Sequence, residues 1–315
     1  MAFDTFGDIW RSTKHHASVA PPLLVQSWVK QAYRDAVDYG AWGHLRAENE
    51  ILTNTPKSGT ANVTRGSDII SGGSIAYAAS DVDRQFRVNQ NMPIYTIIAA
   101  TAAQYQIDRV YGGTTAVAAS AQVLDAYITM PEDFQRFITV LDPANNWQLH
   151  IWMTDDELNT WDPQRSSSGT PFGLASRRLV TQGSASLIGR AQYELWPYPT
   201  SARNYPYYYI RRAETLTDSS RFLGVFAQRA DVLIQGALAY CSEWPGAEDR
   251  RNPYFNLGLA SQKREQFYDQ LDRLLVLDQE LYPTWLETIS QLGRYPFAPL
   301  DARYLQAHDV TMPSW

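Results

Sequence analysis

The chain has 315 residues, is 44% hydrophobic and 19% charged, and carries a formal net charge of −6. That length and composition exclude a disordered chain and leave room for two domains, or one domain with a large insertion. The acidic balance argues against a protein that grips nucleic acid through phosphate contacts, and the lone Cys241 excludes an intramolecular disulfide or a cysteine-rich metal site.

Residues 1–20 read as an irregular lead-in. Pro21-Pro22 then opens a helix in which Val25, Trp28, Val29, Ala32, Ala36 and Val37 recur at helical spacing. Gly40 and Gly43 end it. From Ile51 to about Met130 the helical period vanishes. The stretch Gly59-Thr-Ala-Asn-Val-Thr-Arg-Gly-Ser-Asp-Ile-Ile-Ser-Gly-Gly-Ser74 reads as two short strands about a turn at Arg65-Gly66-Ser67. Further strands are expected at 86–88, 94–98, 105–111 and 126–129. Alternation of Tyr105, Ile107, Arg109 and Tyr111 marks a half-buried strand. The expectation is an inserted antiparallel β module.

Pro131-Glu132-Asp133-Phe134 reads as a short helical turn, and residues 147–153 as a strand. Thr154-Asp-Asp-Glu157 matches a capping box, so a helix is expected from Asp155 to about Trp161. Residues 162–176 read as a loop. Strands are expected at 179–181, 186–188, 193–196 and 207–210. Phe226, Ala230, Leu233, Ile234, Ala237, Leu238, Cys241 and Trp244 form one apolar helical stripe. Phe267, Leu271, Leu274, Leu275 and Leu281 form another. Gly236 and Ala237 would permit close helix packing. Beyond Pro283 the periodicity fades, leaving prolines and the spaced aromatics Trp285, Tyr295, Phe297, Tyr304 and Trp315. Such a tail suits docking onto another surface.

The fold class expected from this pattern is α+β. A small helical bundle, with long helices near 25–39, 225–244 and 255–281, carries the β module, further strands and an extended C-terminal tail. The expected divisions are 1–50 (lead-in and first helix), 51–130 (β module), 131–282 (remaining core) and 283–315 (docking tail).

Strong chemical motifs are missing. There is no GxGxxG, no GxxxxGK[ST] and no GxSxG. The histidines are His15, His16, His44, His150 and His308, and none sits at metal-ligand spacing. The acids Asp155 to Glu157 are placed to cap a helix, although paired carboxylates also leave a hydrolase open. Asp81-x-Asp83 starts like a calcium loop but lacks the Gly and closing Glu. Asn62-Val-Thr64 is a formal glycosylation acceptor. Arg177-Arg178 and Arg211-Arg212 are basic pairs that suit either a partner's carboxylates, DNA or plain solvent. Ten Trp and nineteen Tyr fit interfaces, large cores or sugar stacking. The start MAFDTFGDIW has no basic and apolar signal-peptide regions, and no apolar run is long enough for a membrane span. No catalytic residue, cofactor or metal site is therefore expected, and no membrane partner.

The order of features resembles the head-to-tail adaptor (connector, or neck) proteins of tailed bacteriophages. The elements carrying the likeness are Tyr39-Gly-Ala-Trp42-Gly-His-Leu45 after the first helix, the Gly59 to Ile70 strand pattern, and the Tyr111-Gly-Gly113 turn. They continue through Pro131 to Phe134, Thr154 to Glu157, Tyr193 to Pro199, and Gly236 to Ala239. The likeness spans about residues 20–280 and rests on order, since each element alone is weak. It implies a structural virion protein at the portal vertex, made in the host cytoplasm. Twelve copies would form a ring below the portal protein, extend the channel with transient, non-specific contact to genomic DNA, and meet tail or nozzle proteins. The C-terminal aromatics Trp285, Tyr295, Phe297, Tyr304 and Trp315 would then dock on the portal. The alternative is another virion tail component, or a carbohydrate-binding protein using surface aromatics.

Overall fold

The computed structural model describes residues 5–90, 92–181, 184–247 and 250–281. In chain order it forms α1 (Phe6–His16), α2 (Pro22–Tyr39), β1 (Arg46–Thr53), β2 (Lys57–Val63), β3 (Ile69–Ser71), β4 (Gln85–Val88), β5 (Tyr95–Ala100), β6 (Gln104–Ile107), β7 (Ala116–Leu124), β8 (Tyr127–Thr129), β9 (Phe134–Asp142), β10 (Trp147–Gln148) and β11 (His150–Thr154). It continues through α3 (Asp155–Trp161), β12 (Ser168–Gly169), β13 (Gly173–Leu179), β14 (Ala191–Trp196), β15 (Tyr198–Pro199), β16 (Arg203–Arg211), α4 (Val225–Gln228), α5 (Asp231–Glu243), β17 (Gly246–Ala247), β18 (Arg250–Arg251) and α6 (Leu257–Leu281).

Two compact units divide the chain. One is continuous, Arg46–Arg212; the other joins Met1–Leu45 to Ala213–Trp315.

Unit Arg46–Arg212 is built from strands. β2, β3, β6, β5, β4 and β7 close into a barrel. Period two over short stretches marks the inward residues: Ala61 and Val63, Phe86 and Val88, Tyr95 and Ile97, Tyr105 and Ile107, Ala121 and Val123, with register shifts in the β2–β7 and β5–β6 pairings. Each fully buried Val, Ile or Phe among them contributes roughly 1.5–3 kcal/mol, and each Ala less. Closure leaves the barrel no free edge. Two more four-stranded sheets, β1-β16-β9-β10 and β11-β13-β14-β8, share one core. Tyr205, Tyr207, Tyr209, Phe134 and Val140 come from the first sheet, Leu174 and Leu195 from the second.

Gly73 shows why the Gly59–Ser74 stretch needs its glycines. It has φ +80, and a Cβ there would lie 2.1 Å from the Thr60 carbonyl oxygen. The bare backbone lets Ser74 and Ile75 donate to that carbonyl at 2.9 and 3.0 Å, folding the chain back over β2.

In the other unit α1, α2, α5 and α6 pack on one another. Thr5 and Asp8 cap α1 reciprocally, and Pro22 starts α2. Gly236 lets α5 approach closely: a Cβ there would meet Ala32 at 2.9 Å and Phe267 at 3.0 Å. Trp42 is fully buried and its indole N–H donates to the Ala36 carbonyl at 2.7 Å.

The expected fold class is overturned. Strand accounts for 33% and helix for 31%, with a closed six-stranded barrel and several sheets, so the protein is not a small helical bundle carrying a β module. The cause lies in strands without a strong sequence signal. β7 is Ala-Val-Ala-Ala-Ser-Ala-Gln-Val-Leu, whose alanines favour helix locally but pair with β2 and β4 across the barrel. The expected helical turn at Pro131 is instead a tight turn, with the Phe134 N–H on the Pro131 carbonyl at 3.2 Å, feeding the nine-residue strand β9. Residues 186–188 are turn, and β13 begins inside the expected loop. The expected helix 225–244 breaks at Arg229, whose φ of −131 is not helical. The capped helix at Asp155–Trp161 is present, with both reciprocal Thr154–Glu157 bonds. No helix among the described residues is long and apolar enough to cross a membrane.

Candidate functional site

Charged side chains in unit Arg46–Arg212 gather in buried clusters. At the barrel, Asp81 is 1% exposed and accepts from Lys57 Nζ at 2.6 Å, Arg84 Nη1 at 3.0 Å and Tyr105 Oη at 2.5 Å. Burial works to raise its pKa, but these donors outweigh it and hold the carboxyl below its ordinary range. Arg84 also donates to Asp125 at 2.7 Å. A carboxylate with this many donors is a structural tie.

A second cluster joins the loop after α3 to β14. Arg165 Nε donates to Glu194 Oε1 at 2.9 Å, and its other nitrogens reach the Leu158 and Asp162 carbonyls and Asn159. Tyr198 Oη donates to Glu194 at 2.7 Å, and Arg177 approaches Glu194 at 3.7 Å while lying over the Tyr127 ring at 3.6 Å. Burial pushes the Glu194 pKa up against the opposing pull of Arg165, Tyr198 and Arg177. A raised carboxyl is a familiar mark of an active site; here its oxygens face arginines and a tyrosine that tie β13, β14 and β15 together.

Between these clusters runs a row of side chains on the outside of the barrel. Phe86 and Val88 point inward, so Arg87 points outward. Ser58, Gln122 and Arg87 are successive cross-strand partners on β2, β7 and β4. Gln122 Oε1 accepts from Arg87 Nε at 3.0 Å and Nη2 at 2.8 Å, and Arg87 Nη1 donates to the Arg165 carbonyl at 2.7 Å. Arg87 is 3% exposed and its guanidinium lies over the Tyr198 ring at 5.2 Å. Burial draws its pKa down, with Tyr198 and Asp162 acting the other way. Above this row sits a cavity of about 270 Å³, lined among others by Ser58, Arg87, Gln122, Ser168, Tyr198 and Thr200.

No protein-family model matches the chain, and no curated protein matches it in sequence.

The expected docking residues Trp285, Tyr295, Phe297, Tyr304 and Trp315 lie outside the described residues, as does His308. The other expected candidates scatter. His15 and His16 are exposed in the last turn of α1, and His150 is exposed beside Phe172. Asp83 accepts from the Ser184 backbone and hydroxyl at 3.1 and 2.7 Å, apart from the Asp81 cluster. Asn62 accepts from the Ala118 N–H. Of the basic pairs, Arg177 is an interior tie, Arg178 is exposed, and Arg212 lines a second cavity, of about 510 Å³, with Glu132 and Arg190. No group of histidines, cysteines and acids among the described residues is arranged to hold a metal. Sequence reasoning missed Arg87, which lies outside every motif. The one signal for it was a charged residue alternating with Phe86 and Val88 in an expected strand.

Proposed function

We propose that this chain is a structural virion protein of a tailed bacteriophage, a head-to-tail adaptor that forms a ring below the portal protein and joins the capsid to tail or nozzle proteins. The observation that carries this reading is the chain order of sequence elements, from Trp42, which is buried, through the Gly59 to Ile70 pattern, the Tyr111-Gly-Gly113 turn and Tyr193 to Pro199, to Gly236–Ala239. This is the order in which the sequence resembles the adaptors. Unit Arg46–Arg212 is continuous and lies in the chain between the two stretches of the other unit, which is compatible with that order. Closed strands suit such a role, because a barrel inserted into a crowded ring offers no free edge for unwanted pairing. The net charge of −6 suits a channel through which DNA slides, since like charge keeps the polymer from adhering. In this reading the protein is made in the host cytoplasm, works at the portal vertex as twelve copies, needs no cofactor, and performs no catalysis.

The test is co-expression with the portal protein of the same phage, which the adaptor reading expects a neighbouring gene to encode. The adaptor reading expects a complex in which both proteins co-elute and native mass spectrometry counts twelve adaptor chains per portal ring. A chain that elutes alone beside assembled portal rings overturns it.

A further inference from the structure

Four arginines of unit Arg46–Arg212 are largely buried, and three of them meet carboxylates: Arg84 with Asp81 and Asp125, Arg165 with Glu194 and Asp155, and Arg177 with Glu194 and Asp155. Arg87 differs. Among the described residues no carboxylate lies within ion-pair distance of it, and it leans instead on a neutral amide and a backbone carbonyl. The carboxylate that acts on it, Asp162, does so from beyond ion-pair distance, and a buried charge only partly offset in this way is costly. Of the five guanidinium N–H groups, these bonds use three, which leaves one on each Nη.

We propose that the cavity over Arg87 is a binding site for a small oxyanion, phosphate or carboxylate. Its wall supplies what such a group requires. Arg87 gives a planar cation suited to two-point contact with oxygens. Ser58, Gln122, Ser168 and Thr200 add hydroxyl and amide donors, and no acidic residue lines the cavity among the described residues. Gln122 is itself fixed from both sides, by Arg87 and by Ser58 Oγ at 3.4 Å, so the donors are ordered before the anion arrives. At about 270 Å³ the cavity lies just below the usual range of small-molecule sites, roughly 300–1,000 Å³. It therefore takes a lone anion or an anionic head group, and not a nucleotide.

The experiment follows thermal unfolding of the full chain as inorganic phosphate or acetate is added, with sodium chloride at matched ionic strength as control. The proposal expects Tm to rise by roughly 3–5 °C for each tenfold excess of anion over its Kd, with no such rise in chloride. A response to phosphate alone, or to acetate alone, identifies which oxyanion the cavity prefers. Gln122→Glu places a carboxylate on Arg87 from within. This variant is expected to melt above the wild type in anion-free buffer and to lose most of the response. Absence of any wild-type rise beyond chloride, or an equal rise in Gln122→Glu, overturns the proposal.

Discussion

Arg165 and Glu194 meet at 2.9 Å with each side chain only 2% exposed. The same guanidinium reaches Asp155 at 3.3 Å, but that carboxylate is 41% exposed. One residue thus forms a buried and a wet ion pair, and the two should differ sharply in weight. Glu194→Leu strands Arg165 and removes the acceptor of Tyr198, so it is expected to cost about 3–5 kcal/mol. Asp155→Asn is expected to cost under about 1 kcal/mol. Urea unfolding of the two variants checks the difference, and equal losses would contradict the assignment.

The Gly59–Ser74 stretch permits a paired comparison. Gly73 and Gly66 both have positive φ, +80 and +82, but only Gly73 faces a backbone oxygen where a Cβ would stand; Gly66 has open space around it. Gly66→Ala is expected to lose about 1 kcal/mol from conformation alone. Gly73→Ala adds a collision with the Thr60 carbonyl, which must move, and the loss should exceed that of Gly66→Ala by at least about 1–3 kcal/mol. Denaturation midpoints of both variants decide this.

Asp162 supplies a pH dependence. Burial acts to raise its pKa, but the backbone N–H of Ser167, the Trp196 indole and the Ser166 N–H outweigh burial and bring it from 3.8 to about 2. A carboxyl whose pKa is lowered on folding stabilises the protein fully above its unfolded pKa. That contribution is lost as pH falls through the folded value. Stability should therefore decline between about pH 4 and pH 2, and Asp162→Asn should flatten that part of the profile while lowering stability at neutral pH. Thermal unfolding across this range would show the same acid slope in both proteins if the hydrogen bonds carried no such weight.

Much of the barrel interior was legible in the sequence. Phe86 and Val88, and Tyr105 and Ile107, announce period two within a few residues, and the Thr154–Glu157 cap marks its helix unaided. What could not be read were features set by distant partners. Barrel closure depends on Lys57 meeting Val123 and Gln85 meeting Leu124, a register that no local window contains. The alanines of β7 point locally to helix and are overruled by pairing on both sides. Arg87 looked like an ordinary strand charge, because its burial comes from a stretch near Arg165 that lies far along the chain.

The C-terminal aromatics give the adaptor reading a separate handle. Truncation after residue 282 removes Trp285, Tyr295, Phe297, Tyr304 and Trp315. The shortened chain is expected to unfold with the same cooperative transition as the full chain but to lose retention on immobilised portal protein. Undiminished retention would assign docking to another surface.

The most direct measurement is cryo-electron microscopy of the intact particle. The adaptor reading expects this chain as a twelvefold ring seated directly beneath the portal, around the axis along which DNA leaves. Density for the chain elsewhere in the particle, or at the portal vertex without a closed twelvefold ring, would contradict it.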